Sequence, residues 1–406
     1  MKYFFVLAII FSSYVRASEF NGYIVKYKKV LEESSFLGQP FTIQKKIKTS
    51  FGNYAKVIAP ASFTGDPLKS LRLNPNVVYA EPNWIIKLSS IDIPADASFK
   101  KQWGLKNTGI SGGKIGEDIN ILKAWEISKG SKVVKIAVID TGVDYTHPDL
   151  KNQIEINLAE LNGKPGVDDD GNGYVDDVYG YNFATKNADP MDGHGHGTHC
   201  AGVIGAEHNQ IGVAGVMSQV KIIPVKFLSD SGEGEELDAI AAIDYAIKRG
   251  AKVLSNSWGG SEKTQALEDA IVKAEQDRVV FVAAAGNEYS DNDSSNSFPA
   301  NFDISNVISV GAFTNKGSKA SFSNYGAHSV HVFAPGQDIY STVNKGGYAS
   351  MSGTSMATPY VSGVVGLLLS KEPNLSPQEV RERLIKTSHD NSKLNGLSQS
   401  NGRIDA

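Results

Sequence analysis

Three segments of this chain carry side chains of the types needed to turn a hydroxyl into a nucleophile. Asp140 ends the apolar run of Val138–Gly142, His196 and His199 share the run His196–Gly202, and Ser355 lies in Gly353–Pro359. A neutral serine attacks poorly. A histidine must take its proton, and a carboxylate must orient that histidine and stabilise the imidazolium. His194, His196 and His199 compete for the role of base. After Ser355 come Ala357, Val361, Gly363, Val364, Gly366 and Leu367. So small and apolar a run predicts a buried helix, with Ser355 at the N-terminal end where backbone N–H groups face a developing anion. There is no His-Glu-x-x-His, so the clustered histidines read as part of this constellation rather than as a zinc site.

A second set of residues suits a hard cation. The run Asp168–Asp177 places oxygen-bearing side chains at alternate positions, with Gly173 for the turn, as calcium loops do. The expected ligands are Asp168, Asp170, Asn172 and Asp176. The run follows the first nine positions of an EF-hand loop but has Tyr179 where that motif needs a bidentate glutamate, so it is not an EF-hand. A second calcium site is expected from Asp149 with the loop 207–213, where Asn209 offers a side-chain oxygen. Cys200 is the only cysteine, so no intrachain disulfide exists. In an exported protein, bound calcium is the usual substitute.

These residues need rigid elements beneath them. Val133–Ile139 reads as a strand running into Asp140, and Val220–Val225, Ala251–Ser255 and Val279–Ala284 read as three more. Leu237–Arg249 and Thr264–Gln276 have apolar residues at helical spacing between them. Alternating strands and helices predict an α/β fold: a parallel sheet with helices on both faces and its site at the carboxyl ends of the strands. Ahead of it, strands at 22–27, 54–58 and 76–80 and a helix at 67–73 predict a small α+β domain over residues 18–87. Residues 88–101 read as a linker.

The first 17 residues carry Lys2, an apolar stretch from Tyr3 to Phe11 and a small-x-small exit at Val15–Ala17, the pattern of a cleavable export signal. No later stretch approaches the ~18 apolar residues that span a bilayer. Charge is uneven. The chain totals −4, residues 18–87 hold ten Lys/Arg against five Asp/Glu, and Lys2 and Arg16 precede them, which leaves −11 on the remainder. Two such pieces attract one another. An acidic body without a basic cluster argues against nucleic-acid binding.

Taken in the order Asp, His, Ser, the three segments resemble those of the subtilisin-like serine proteases, the subtilases, from about Gln102 to Ala406. The resemblance implies that His196 is the base and His199 structural. It implies Asn287, ending Ala283–Asn287, as the side-chain donor of an oxyanion hole alongside the Ser355 N–H. It also implies that Ser257, Trp258 and Gly259, with Ala284, Ala285 and Gly286, flank the primary specificity pocket, with Ser297 and Phe298 near its floor. Gly232 and Gly259 are then placed to pair with an extended peptide. Cys200 beside His199 is similar to the buried thiol of calcium-stabilised, thermitase- and proteinase K-like members. Residues 18–87, ending near Val-Tyr-Ala-Glu-Pro-Asn, are similar to inhibitory propeptides. The implied protein is a secreted or periplasmic monomer with a self-cleaved propeptide, acting on proteins or peptides. Glu233, Glu235 and Glu236 at the expected cleft rim predict a taste for basic residues. Two other readings stay open, a non-catalytic calcium-binding scaffold and a cysteine hydrolase using Cys200.

Overall fold

The computed structural model describes residues 20–29, 31–32, 41–85 and 93–406. The export signal expected at 1–17 lies outside them, as does part of the linker. The chain divides into two compact units, one ending at residue 90 and one beginning at residue 91.

In the N-terminal unit, β1 (Phe20–Tyr27), β2 (Thr42–Thr49), β3 (Gly52–Ile58) and β4 (Val77–Trp84) form an antiparallel sheet in the order β2-β3-β1-β4, with α1 (Pro67–Arg72) between β3 and β4. Asp66 caps α1 by accepting from the N–H groups of Leu68 and Lys69. Val25, Leu31, Ala55, Val57, Leu71 and Ala80 make a small core. β2 was not among the expected strands. It is an edge strand carrying Lys45, Lys46 and Lys48, and edge lysines blur the apolar alternation while guarding the edge against pairing.

The second unit runs α2 (Ile121–Ile127), β5 (Gly130–Asp140), α3 (Leu158–Asn162), β6 (Tyr181–Asn182), α4 (His196–Gly205), β7 (Gln219–Lys226), α5 (Glu236–Lys248), β8 (Val253–Asn256), α6 (Gln265–Gln276), β9 (Val280–Ala284), β10 (Val307–Phe313), β11 (Val332–Pro335), β12 (Ile339–Val343), β13 (Gly347–Met351), α7 (Thr354–Lys371), α8 (Pro377–Thr387), β14 (His389–Asp390) and β15 (Gly402–Arg403). Its main sheet has the order β14-β15-β11-β10-β9-β8-β5-β7-β6 and is parallel except where β14 meets β15. The chain builds outward from β5 to one side with β7, then to the other with β8 and β9. β5 is therefore the switch point of this α/β fold, where a crevice opens beyond the strand ends.

Both faces are covered, and β5 shows why. Ile136 and Val138 point into one core with α4 and α7, while Ala137 and Ile139 point into another with α5 and α6. A strand buried on both sides reads as a continuous apolar run rather than an alternation. α7 is buried along nearly its whole length. Its small residues admit close neighbours: a Cβ on Gly363 would lie 2.7 Å from Val216, and one on Gly366 would lie 2.4 Å from the Met217 sulfur.

Candidate active site

Asp140 is the last residue of β5 and is fully buried. Its Oδ1 accepts from the Thr141 N–H at 2.7 Å and from His196 Nδ1 at 2.7 Å, while Oδ2 is buried without a partner among the described residues. His196 opens α4. The residue before it, Gly195, takes φ 104°, which a side-chain-bearing residue adopts only with strain. That turn sets the imidazole against the strand end. Burial pulls the His196 imidazole down, but the Asp140 carboxylate and its hydrogen bond, with Asp192 beyond, outweigh burial and leave it above its ordinary value. His199 lies one turn further on, buried, with Nε2 on the Ile339 carbonyl at 2.9 Å. Burial depresses it to about 4, so it stays neutral and apart from Asp140. His194 is exposed.

Ser355 is the second residue of α7, so its own N–H has no intrahelical acceptor. Its Oγ donates to the Ser257 carbonyl at 3.1 Å, and its carbonyl accepts from Ser257 Oγ at 2.9 Å. No hydrogen bond joins Ser355 to His196 among the described residues. In free hydrolases that contact is often loose and tightens on the substrate. Asn287 follows β9 through Gly286, whose φ is 110°. Asn287 Oδ1 accepts from the Thr354 N–H at 2.9 Å and from Thr354 Oγ1 at 3.1 Å. Donors on that side identify the oxygen and leave Nδ2 as the free donor. A Cβ built on Gly353 would lie 3.6 Å from Ser355 N and 3.8 Å from Asn287 Nδ2. The two donors thus flank a small open space.

Cys200 is buried on α4, with its sulfur 3.5 Å from Ser257 Oγ and 3.5 Å from the Ser355 carbonyl. One oxygen of Asp140, one nitrogen of His196 and this sulfur all lie within 4.8 Å of one another. Burial pushes the thiol well above its usual range. A thiol held protonated is a poor nucleophile.

Two cavities adjoin these groups. One of about 390 Å³ is lined by Ser257, Trp258, Gly259, Ala284, Gly286 and Ser297, with Asn287 and Ser355 at its mouth. The other, about 710 Å³, has Phe227, Leu228, Leu267 and Phe298 as apolar wall, Gly232 and Trp258 at its side, and Glu233, Glu236 and Glu262 among its lining. Ala285 is a correction: it is fully buried in the core, not in either lining, because the side chain of the residue between Ala284 and Gly286 turns to the opposite side. Phe298 lines the larger cavity, and Glu235 lines neither.

Residues 131–403 match the model of the subtilase family. The chain belongs to the subtilase family. Relatives of this subtilase include the thermophilic serine proteinase of Bacillus sp. strain AK1, 40% identical over 324 residues, 79% of this chain and 70% of the relative. Another is thermitase of Thermoactinomyces vulgaris, 38% identical over 291 residues, 71% of this chain and 92% of thermitase. Among solved structures, a cold adapted subtilisin-like serine proteinase superposes with TM-score 0.53 at 33% identity, covering 68% of this chain and 87% of the other. The chain is thus a subtilisin-like serine protease on an α/β fold.

The subtilase also holds two groups of oxygen atoms. In the first, carboxylate oxygens of Asp168, Asp170 and Glu160 lie within 4.8 Å of one another. Glu160 was not expected. It sits on α3, eight residues before the run, and accepts from the N–H groups of Asp169, Asp170 and Asp176. Asp176 departs from expectation: its carboxylate turns to the Gly166 N–H and lies outside the cluster. Asn172 Oδ1 accepts from the Tyr174 N–H. In the second group, buried Asp149 accepts from Asn209 Nδ2 at 2.9 Å, the Val213 N–H at 3.0 Å and the Tyr348 hydroxyl at 2.9 Å. Asp96, another residue not expected, accepts from the Asn209 N–H through Oδ1, while its Oδ2 is buried without a partner among the described residues and burial raises its pKa. An orphaned buried carboxylate oxygen beside a second carboxylate fits a bound cation.

Proposed function

We propose that this subtilase is an exported, calcium-stabilised endopeptidase, made as a self-processing zymogen and acting through Asp140, His196 and Ser355. The observation that carries the reading is the 2.7 Å contact of His196 Nδ1 with buried Asp140, with His196 lining one cavity, Ser355 at a helix N-terminus lining the other, and Ser257 to Ser261 lining both. With Nδ1–H held on Asp140, Nε2 is left to accept the Ser355 hydroxyl proton as Oγ attacks the scissile carbonyl carbon. The carbonyl oxygen becomes an oxyanion, bound by the Ser355 N–H and Asn287 Nδ2. His196 then returns the proton to the leaving amine, and water releases the acyl group by the same steps. The protonated, buried state of Cys200 disfavours the thiol alternative.

Substrate residues upstream of the cleaved bond would occupy the two cavities, with Gly259 and Gly232 pairing to an extended backbone. Glu233, Glu236 and Glu262 favour a Lys or Arg whose apolar stem lies along Phe227 and Leu267. A peptide library cleaved without enrichment for Lys or Arg upstream would refute that preference. Calcium would be held by Asp168, Asp170 and Glu160, with Asn172 nearby, and by Asp149, Asp96 and the loop bearing Asn209. The ion supplies compensating charge to these carboxylates and no step of catalysis. At a free calcium of 100 Kd each site would add about 2.7 kcal/mol to stability. Residues 18–87 would serve as propeptide and intramolecular inhibitor, with cleavage between about residues 87 and 102, and the mature protease would be a monomer.

The test is intact mass of the wild type and Ser355→Ala, each expressed with residues 18–87 and purified in calcium. Cleavage within 87–102 in the wild type alone supports self-processing through Ser355. If both stay full length, self-processing is refuted. If both are cut, another protease did the processing, and hydrolysis of a peptide by wild type but not Ser355→Ala decides the role of the serine. Chelation should lower the melting temperature of the inactive variant by several degrees, and an unchanged value would refute calcium stabilisation.

A further inference from the structure

The carboxylate of Asp192 takes no part in the proton transfers between Ser355 and His196, yet it is 2% exposed and accepts five hydrogen bonds. Its Oδ1 takes the Thr141 hydroxyl at 3.0 Å and the N–H groups of His194 at 2.9 Å and Gly195 at 2.8 Å. Its Oδ2 takes the Thr198 N–H at 2.9 Å and the Thr198 hydroxyl at 2.6 Å. Three of these donors lie at the start of α4: the N–H of Gly195, the residue before the helix, and the N–H and hydroxyl of Thr198 in its first turn. The Thr141 hydroxyl belongs to the residue after Asp140. That same hydroxyl accepts from the Gly197 N–H at 3.0 Å, and the Thr141 N–H donates to Asp140 Oδ1. No cation pairs with Asp192 among the described residues; all five partners of its carboxylate are backbone N–H groups and hydroxyls.

We propose that Asp192 is a positioning residue for the catalytic pair, clasping the end of β5 that bears Asp140 to the start of α4 that bears His196, with Thr141 as the link. The physical reason is angular. One hydrogen bond of 2.7 Å joins His196 to Asp140, and nothing in that contact alone fixes the imidazole plane. Asp192 fixes both backbones on either side of it. It also adds negative charge near the ring. The other groups facing His196 are Asp140 on β5, Cys200 and His199 on α4, and His194, whose ring centroid is 6.2 Å away. Cys200 and His199 are neutral, so Asp140 and Asp192 dominate the charge there.

This inference rests on His196 acting as the base and Asp140 as its orienting carboxylate. The test compares Thr141→Val, Thr141→Ser and Asp192→Asn in the full chain, with Ser355→Ala as reference. Thr141→Val keeps shape but cuts the clasp, and we expect kcat to fall roughly 10–100-fold with KM within about twofold. Thr141→Ser keeps the hydroxyl and should restore kcat. Asp192→Asn should also move the acid limb of kcat/KM to lower pH, because removing an anion makes the imidazole harder to protonate. Unchanged kcat in Thr141→Val while Ser355→Ala is inert would overturn the clasp alone. A loss confined to KM, or one that Thr141→Ser does not restore, would overturn it too. Activity in Ser355→Ala would instead overturn the triad reading beneath it. If Asp192→Asn fails to fold, the two Thr141 variants decide.

Discussion

Individual residues in the crevice are held by donors and acceptors that leave little freedom. Asn287 is the clearest case, because Thr354 occupies its oxygen from two directions and so points its amide at the space beside Ser355. Losing one such donor costs roughly 10²–10³ in kcat in related chemistry. We expect Asn287→Ala to fall in that range with KM little changed. Gly353→Ala should do comparable damage by a different route. Its methyl would stand 3.6 Å from Ser355 N and 3.8 Å from Asn287 Nδ2, in the volume an oxyanion needs. Steady-state kinetics on one peptide ester and one peptide amide checks both, and wild-type kcat in Gly353→Ala would move the oxyanion elsewhere. The proposed base makes a further prediction. His196 is raised above its ordinary value of 6.5 by Asp140 against the pull of burial. The working form is neutral, so activity is lost as pH falls through the raised pKa. The acid limb of kcat/KM should therefore have its midpoint above 6.5, and a midpoint well below it would contradict the Asp140–His196 pairing. The residues proposed for this centre stand out in sequence because each sits in a short, locally distinctive run. Asp192, Asp96 and Glu160 were not. Each acts through backbone N–H groups or through residues made neighbours only by folding, and an isolated acidic residue carries no spacing signal.

The elements show how one strand order gathers those runs. Asp140, Ser257 and Asn287 come from the ends of β5, β8 and β9, which are adjacent in the sheet, and α7 delivers Ser355 across them. The strands of the second unit were readable because burial on both faces makes unbroken apolar runs. The lysine-bearing β2 and the two-residue β6, β14 and β15 have no such run and exist only through their partners. One helix also runs from the larger cavity to the acidic run. α5 lines the larger cavity at Glu236 and Ala239, and its far end reaches Asp177, the last residue of the acidic run. Arg249 donates to the Asp177 carboxylate at 2.8 Å, the Tyr245 hydroxyl donates to it at 2.5 Å, and all three are buried. Asn157 and Asn172 tie Asp177 on to Asp170. Breaking a buried pair from one side strands a charge, at about 3–5 kcal/mol. Arg249→Leu in a Ser355→Ala background should lose stability of that order in urea. It should also weaken calcium at the loop, read by terbium luminescence. A loss under about 1 kcal/mol would mean that Tyr245 and the two asparagines suffice to hold the carboxylate.

At the scale of the whole molecule the chain joins a basic piece to an acidic one, +5 on residues 18–87 and −11 on residues 88–406. If residues 18–87 inhibit the protease as proposed, they must find its crevice quickly and later be lost. Opposite charge would supply the first property without making such a complex permanent, because long-range attraction raises the association rate far more than it slows dissociation. The N-terminal unit has a core of its own, so a fragment of residues 18–87 added to the mature protease is a fair probe. Its association rate should fall steeply as salt rises from about 0.05 M to 1 M, where the Debye length shrinks to about 3 Å, while dissociation changes little. The same fragment with Lys45, Lys46 and Lys48 replaced by glutamine should associate more slowly at low salt and match the parent at high salt. That convergence is the decisive feature, since lost packing would persist at every salt concentration. Inhibition whose rate ignores salt would show that shape alone brings the fragment to the protease, and that the charge division serves solubility instead.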